Sequence, residues 1–186
     1  MSETSKIRTL VFISLYAALY AILSLLTAWI PTGPYFIQFR PGVVVPMIAA
    51  VMLQPWAAGL SAAIGTFIAS IIRYGTPLLT IFSGTPGNFL GFYVMGLSYS
   101  YLRKKKINWI VSLAVSSVIG MVVGAIVIAL GLWFLANTFM PSLGNFTNIV
   151  FSITSSFILV LAPLPIAFII CIAALKLLEK AKYLSL

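Results

Sequence analysis

The side chains able to do chemistry gather in four stretches of this sequence. "PYFIQFRPG" (34–42) carries Tyr35, Gln38 and Arg40. "RYGTP" (73–77) carries Arg73 and Tyr74. "SGTPGN" (83–88) ends in Asn88. "WFLANTFMPSLGNFTN" (133–148) offers Trp133, Asn137 and Asn145. Amides, hydroxyls and guanidinium groups make hydrogen bonds, and a guanidinium pairs with a carboxylate or phosphate. Trp29, Phe36, Trp133 and Phe146 add faces for stacking on a ring. This is the chemistry of holding a small molecule.

Reaction chemistry is missing. The chain has no histidine and two acidic residues, Glu3 and Glu179, both near its ends. A general acid–base enzyme needs a group that titrates near neutral pH. A proton-coupled transporter needs a titratable group within its apolar spans. Arginine serves neither purpose. Metal sites need clustered carboxylate, His or Cys, and Cys171 stands alone in an apolar run. No GxxxxGK[ST] nucleotide loop is present. The expectation is a protein that is not an enzyme, uses no metal or cofactor, and binds, conducts or serves as a subunit.

The elements that must carry these residues follow from composition. The 186 residues are 62% hydrophobic and 7% charged, with mean hydropathy +1.15. Soluble domains carry about 25% charged residues. The apolar runs are long and lack period-two alternation, so helices are expected rather than a barrel. The spans read as helix 1 from Arg8 to Ile30, helix 2 from Pro41 to Leu53, and helix 3 over 56–73. Helix 4 runs from Pro86 to Leu102, helix 5 from Trp109 to Ala136, and helix 6 from Ile149 to Lys182 with a bend at "APLP" (162–165). Residues 31–39, "LLTIFSGTPGN" (78–88) and 137–148 read as loops. "SGTPGN" would then present backbone N–H groups at a helix N-terminus, a seat for an anion. Helix 1 is longer than a signal-peptide core and no small-residue cleavage site follows it, so it should stay in the protein. The fold class is an all-α integral membrane protein: one domain over residues 1–186, a bundle of six transmembrane helices.

The net charge of +9 lies mostly at span ends and in "RKKK" (103–106), which indicates topology and not nucleic-acid binding. With six spans, one side holds Lys6, Arg8, Arg103 to Lys106, Lys176, Lys180 and Lys182. The other holds Arg40 and Arg73. The positive-inside rule places both termini in the cytoplasm and the two arginines outside, in the cell membrane's outer half. No acidic residue accompanies Arg40 there. Its partner is lipid phosphate, a backbone carbonyl or a ligand anion. Arg73 has a plainer alternative, snorkelling to headgroups. Trp29, Tyr35 and Trp133 suit an interface belt, and Asn88 a helix cap. Small residues four apart, Gly59/Ala63, Gly65/Ala69 and Gly120/Gly124, fit packing within the bundle. Ala17/Ala21 on helix 1 fit either packing or docking on another membrane subunit.

This layout resembles the substrate-binding S-components of energy-coupling factor transporters. The resemblance rests on Ala17 and Ala21, the proline-broken first loop, "LQPWAAGLSAAIGTFIAS" (53–70) and "GTPGNFLGFYVMG" (84–96), and spans nearly the whole chain. "IQFR" (37–40) is similar to the queuosine-precursor members, without their acidic residue soon after the arginine. The resemblance implies a subunit that binds a vitamin or related micronutrient near the outer face. It implies docking through Ala17 and Ala21 on a coupling transmembrane protein, with an ATPase pair supplying energy. A passive channel or facilitator, or an assembly subunit without a ligand, are the alternatives.

Overall fold

The computed structural model describes residues 3–28 and 40–181, with side chains from residue 6. Seven α-helices occur among them. They are α1 (Glu3–Leu26), α2 (Val44–Met52), α3 (Pro55–Tyr74), α4 (Thr85–Lys104), α5 (Trp109–Thr138), α6 (Ile149–Leu161) and α7 (Leu164–Lys180). Their ends follow local chemistry. Pro41 opens a 3-10 turn (Pro41–Val43) into α2, and Pro55 opens α3, where a missing N–H costs nothing. Gly75 ends α3 in the left-handed region at φ 69°. The Asn108 side chain accepts from the Ile110 N–H to cap α5, and Asn148 caps α6.

Four stretches are long and apolar enough to cross a membrane: Lys6–Leu26, Pro55–Tyr74, Trp109–Thr138 and Ile149–Lys180. The last contains α6 and α7. The helix breaks between them at Ala162 and Pro163, as the "APLP" reading expects. Pro41–Met52 is apolar but short. α4 has the length, but its serines, tyrosines and terminal basic residues dilute its hydropathy.

The bundle is held by backbone contact. α4 and α5 run antiparallel and meet through paired glycines. A Cβ added at Gly120 would lie 2.6 Å from the Gly91 carbonyl oxygen, and one at Gly124 would lie 3.1 Å from that of Gly87. α3 uses the same device on both sides. A Cβ at Gly59 would come within 2.7 Å of the Phe89 carbonyl oxygen, and one at Gly65 within 2.7 Å of Ala17's. Lipid resembles the helix surfaces in polarity, so close packing rather than apolar burial drives association. The apolar side chains of α1 and α7 that face outward, such as Leu10, Val11, Ile169 and Leu177, form a lipid-facing surface.

The structure corrects one element. Residues 78–88 are not a loop. The chain is helical from Leu78, passes through a π turn (Thr80–Gly84) and continues into α4. Pro86 explains the turn. It has no N–H for the Phe82 carbonyl four residues earlier, and its ring would clash there in a regular helix. The wider turn relieves this, with the Thr85 N–H donating to the Thr80 carbonyl. "SGTPGN" is therefore not a helix start, and the anion seat expected of its N–H groups does not exist. The Phe82 carbonyl lies instead against Gly131 of α5, where a Cβ would overlap it. Gly131→Val is expected to destabilise the protein by about 1–3 kcal/mol through overpacking. Its thermal midpoint in detergent should fall, while lipid-facing Ile169→Val should leave the midpoint unchanged.

Candidate binding site

α1 and α3 finish, and the π turn begins, at one end of the bundle. Arg40 and the end of α5 lie there too. A cavity of about 100 Å³ opens there and reaches the middle of α4 and α5. Its deeper wall is apolar: Phe92 and Met95 from α4, Met121 and Ile128 from α5, and Leu159, Val160 and Pro163 from the α6–α7 break. The interhelical glycines Gly87, Gly91, Gly120 and Gly124 also border it, so the contact that joins the helices also shapes the cavity wall.

Its polar groups come from five segments. Arg40, half-buried, precedes α2. Ser70 and Tyr74 lie in the last turns of α3, Thr80 and Ser83 in the π turn, and Tyr20 and Asn88 on α1 and α4. The Tyr20 hydroxyl donates to Asn88 Oδ1 at 3.2 Å, and Asn88 Nδ2 donates to the Gly84 carbonyl at 2.7 Å. These bonds fix the direction of the amide. One N–H and one oxygen lone pair of Asn88 remain for another partner. Thr80 and Thr85 share a hydrogen bond at 3.2 Å, and Ser83 donates to the Leu79 carbonyl. A smaller cavity of about 10 Å³ adjoins, sharing Arg40, Ser70 and Tyr74 and adding Ser24 and Arg73. The Arg73 guanidinium stands 5.1 Å from the centre of the Tyr74 ring, on the exposed side. The chain's two acids are at its ends, so neither cavity has a carboxylate to receive a cation.

Arg40, Tyr74 and Asn88 are thus brought together, with Arg73 beside them. Trp133, Asn137 and Asn145 stand apart from both linings. Asn137 Nδ2 donates to the Trp133 carbonyl at 2.8 Å and to Thr147's at 3.4 Å, tying the end of α5 to the turn after it. Trp133 and Asn145 are exposed. Tyr35 and Gln38 lie outside the described residues, as do Trp29 and Phe36. Ala17 and Ala21 are 2% and 4% exposed and face inward, with Ala17 against α3 at Gly65, so a docking face made of them is covered in this structure. Sequence reasoning missed Tyr20, Ser70, Thr80 and the Phe92–Met95 wall. The available signal was spacing: Asn88, Phe92 and Met95 recur on one helical face.

A family model described as ECF transporter, substrate-specific component, matches residues 8–179. Comparisons with curated proteins and with solved structures returned no match. The match covers nearly the whole chain and agrees with a membrane protein whose described residues are helical and carry a polar-rimmed cavity. The chain belongs to the family of substrate-specific components of ECF transporters.

Proposed function

We propose that this subunit captures a vitamin or related micronutrient from the outer face of the cell membrane, in the cavity rimmed by Arg40, Ser70, Tyr74 and Asn88. The observation that carries this reading is one polar rim on an otherwise apolar cavity, with a guanidinium and an oriented amide and no carboxylate. Such a rim suits an anionic or neutral polar group, and the apolar depth suits a ring. Arg40, Tyr74 and Asn88 contact the ligand. Arg73 attracts it at the mouth.

The single domain crosses the membrane six times, with α2 and α4 spanning beside the four strongly apolar stretches. Both termini are cytoplasmic. Energy comes from a coupling transmembrane protein and its ATPase pair, since the chain has no coupling chemistry of its own. α1 is the docking helix. With Ala17 and Ala21 packed inward, its exposed Ser14 and Ala18 form the small-residue face open to a partner.

Gently extracted protein should retain one small molecule in native mass spectrometry. Arg40→Ala should weaken an anionic ligand by about 1.5–3 kcal/mol, and Asn88→Ala should weaken binding by about 1–3 kcal/mol. Unchanged affinity in titration calorimetry would remove either residue from the site. Topology is tested in a Cys171→Ala background. Ser142→Cys should react with an impermeant maleimide in right-side-out vesicles, and Lys105→Cys only in inverted ones. Ala18→Leu should reduce co-purification of the coupling protein without changing the isolated subunit's melting, whereas Ala17→Leu should destabilise the subunit itself. Solute flux through liposomes containing this chain alone would instead establish a passive facilitator.

A further inference from the structure

The smaller cavity has two hydroxyls that the bundle leaves unsatisfied. Ser24 and Ser70 are 2% and 4% exposed, and neither Oγ has a hydrogen-bond partner among the described residues. Most other buried serines find a partner; Ser156 and the buried Thr66 do not, but neither lines this cavity. Ser61, Ser116 and Ser117 each donate to a carbonyl three residues earlier, and Ser152 donates to Ala129 across to α5. A buried hydroxyl without a partner costs about 1–3 kcal/mol, so two around one cavity call for an occupant.

We infer that this cavity is a carboxylate subsite: one oxygen of a monocarboxylate accepts from Ser24 and Ser70 and faces the Arg40 guanidinium. The inference rests on the reading of the larger cavity as the substrate site. Three features lead to it. The charge is positive, with Arg40 and Arg73 in the lining and no acid. The volume, about 10 Å³, admits one oxygen-sized atom. Arg40, Ser70 and Tyr74 border both cavities, so one molecule can place its carboxylate in the small cavity and its body in the large one. The C-terminal ends of α1 and α3 meet here, and the arginines also offset their partial negative charge. That role does not involve the serine hydroxyls, which makes the serines the deciding residues.

The test uses the purified full chain in detergent with formate, acetate and phenylpropanoate, each against its amide, and with phenylethylphosphonate. Binding is read by calorimetry and by thermal shift. The acids are expected to bind about tenfold more tightly than the amides, and Ser24→Ala and Ser70→Ala should each erase most of that preference by weakening the acids more than the amides. Without probe, both variants should melt at or above the wild-type temperature, because each removes an unsatisfied buried hydroxyl. The inference is overturned by equal binding of acid and amide, by preference for the phosphonate, by no binding of any probe, or by serine variants that keep the acid preference. If a co-extracted small molecule is retained equally by wild type and both serine variants, the substrate site stands and the carboxylate subsite does not.

Discussion

The rest of the structure depends on the glycine contact between α4 and α5. With Gly91 against Gly120 and Gly87 against Gly124, the two helix backbones touch with no side chain between them. In a membrane, where burying apolar surface gives little advantage, such close van der Waals contact is what fixes one arrangement among many. It sets the register of α4, and α4 carries Asn88. It also removes the side chains that would otherwise fill the adjoining cavity. A glycine at these positions therefore serves packing and cavity shape through the same missing atom.

Proline and glycine divide the work at the open end of the bundle. Pro86 deprives the Phe82 carbonyl of its helical donor, the π turn absorbs the extra residue, and Gly131 makes room for the displaced backbone. The consequence for the site is direct. The π turn places Thr80 and Ser83 in the cavity lining and brings the Gly84 carbonyl to the Asn88 amide. The Tyr20 hydroxyl completes the support from α1, so the orientation of one asparagine depends on three segments of the chain.

Electrostatically the cavities are one-sided. Arg40 and Arg73 lie where the C-terminal ends of two helices converge, and no acidic residue lines either cavity. Around them are hydroxyls, an amide and aromatic rings. In the proposed site this combination would select by sign of charge and by hydrogen-bond pattern.

Much of this was legible without coordinates. Composition determined the class, since too few polar side chains exist to cover a water-facing surface. The lack of histidine and the placement of both acids near the chain's ends pointed to a binding subunit, and the family match is to a substrate-specific component. Prolines and terminal glycines located most helix ends, because their effects on φ and on hydrogen bonding are local. Arg40, Tyr74 and Asn88 stood out as polar groups in an apolar chain. The remainder depended on which helix faces meet. Ala17 and Ala21 could pack or dock, and only their contact with α3 places them inside. Trp133, Asn137 and Asn145 resemble site residues by type and lie near the same end, yet the rotation of α5 keeps the first two out of both cavity linings and the 3-10 segment after α5 keeps Asn145 out. Ser24 and Ser70 are ordinary serines in the sequence, and they become notable only when the bundle buries both and gives neither a partner. Local backbone chemistry and overall polarity are carried by each residue itself and can be read one by one. A cavity is formed by residues far apart in the chain, and its shape exists only after the helices have chosen their rotations.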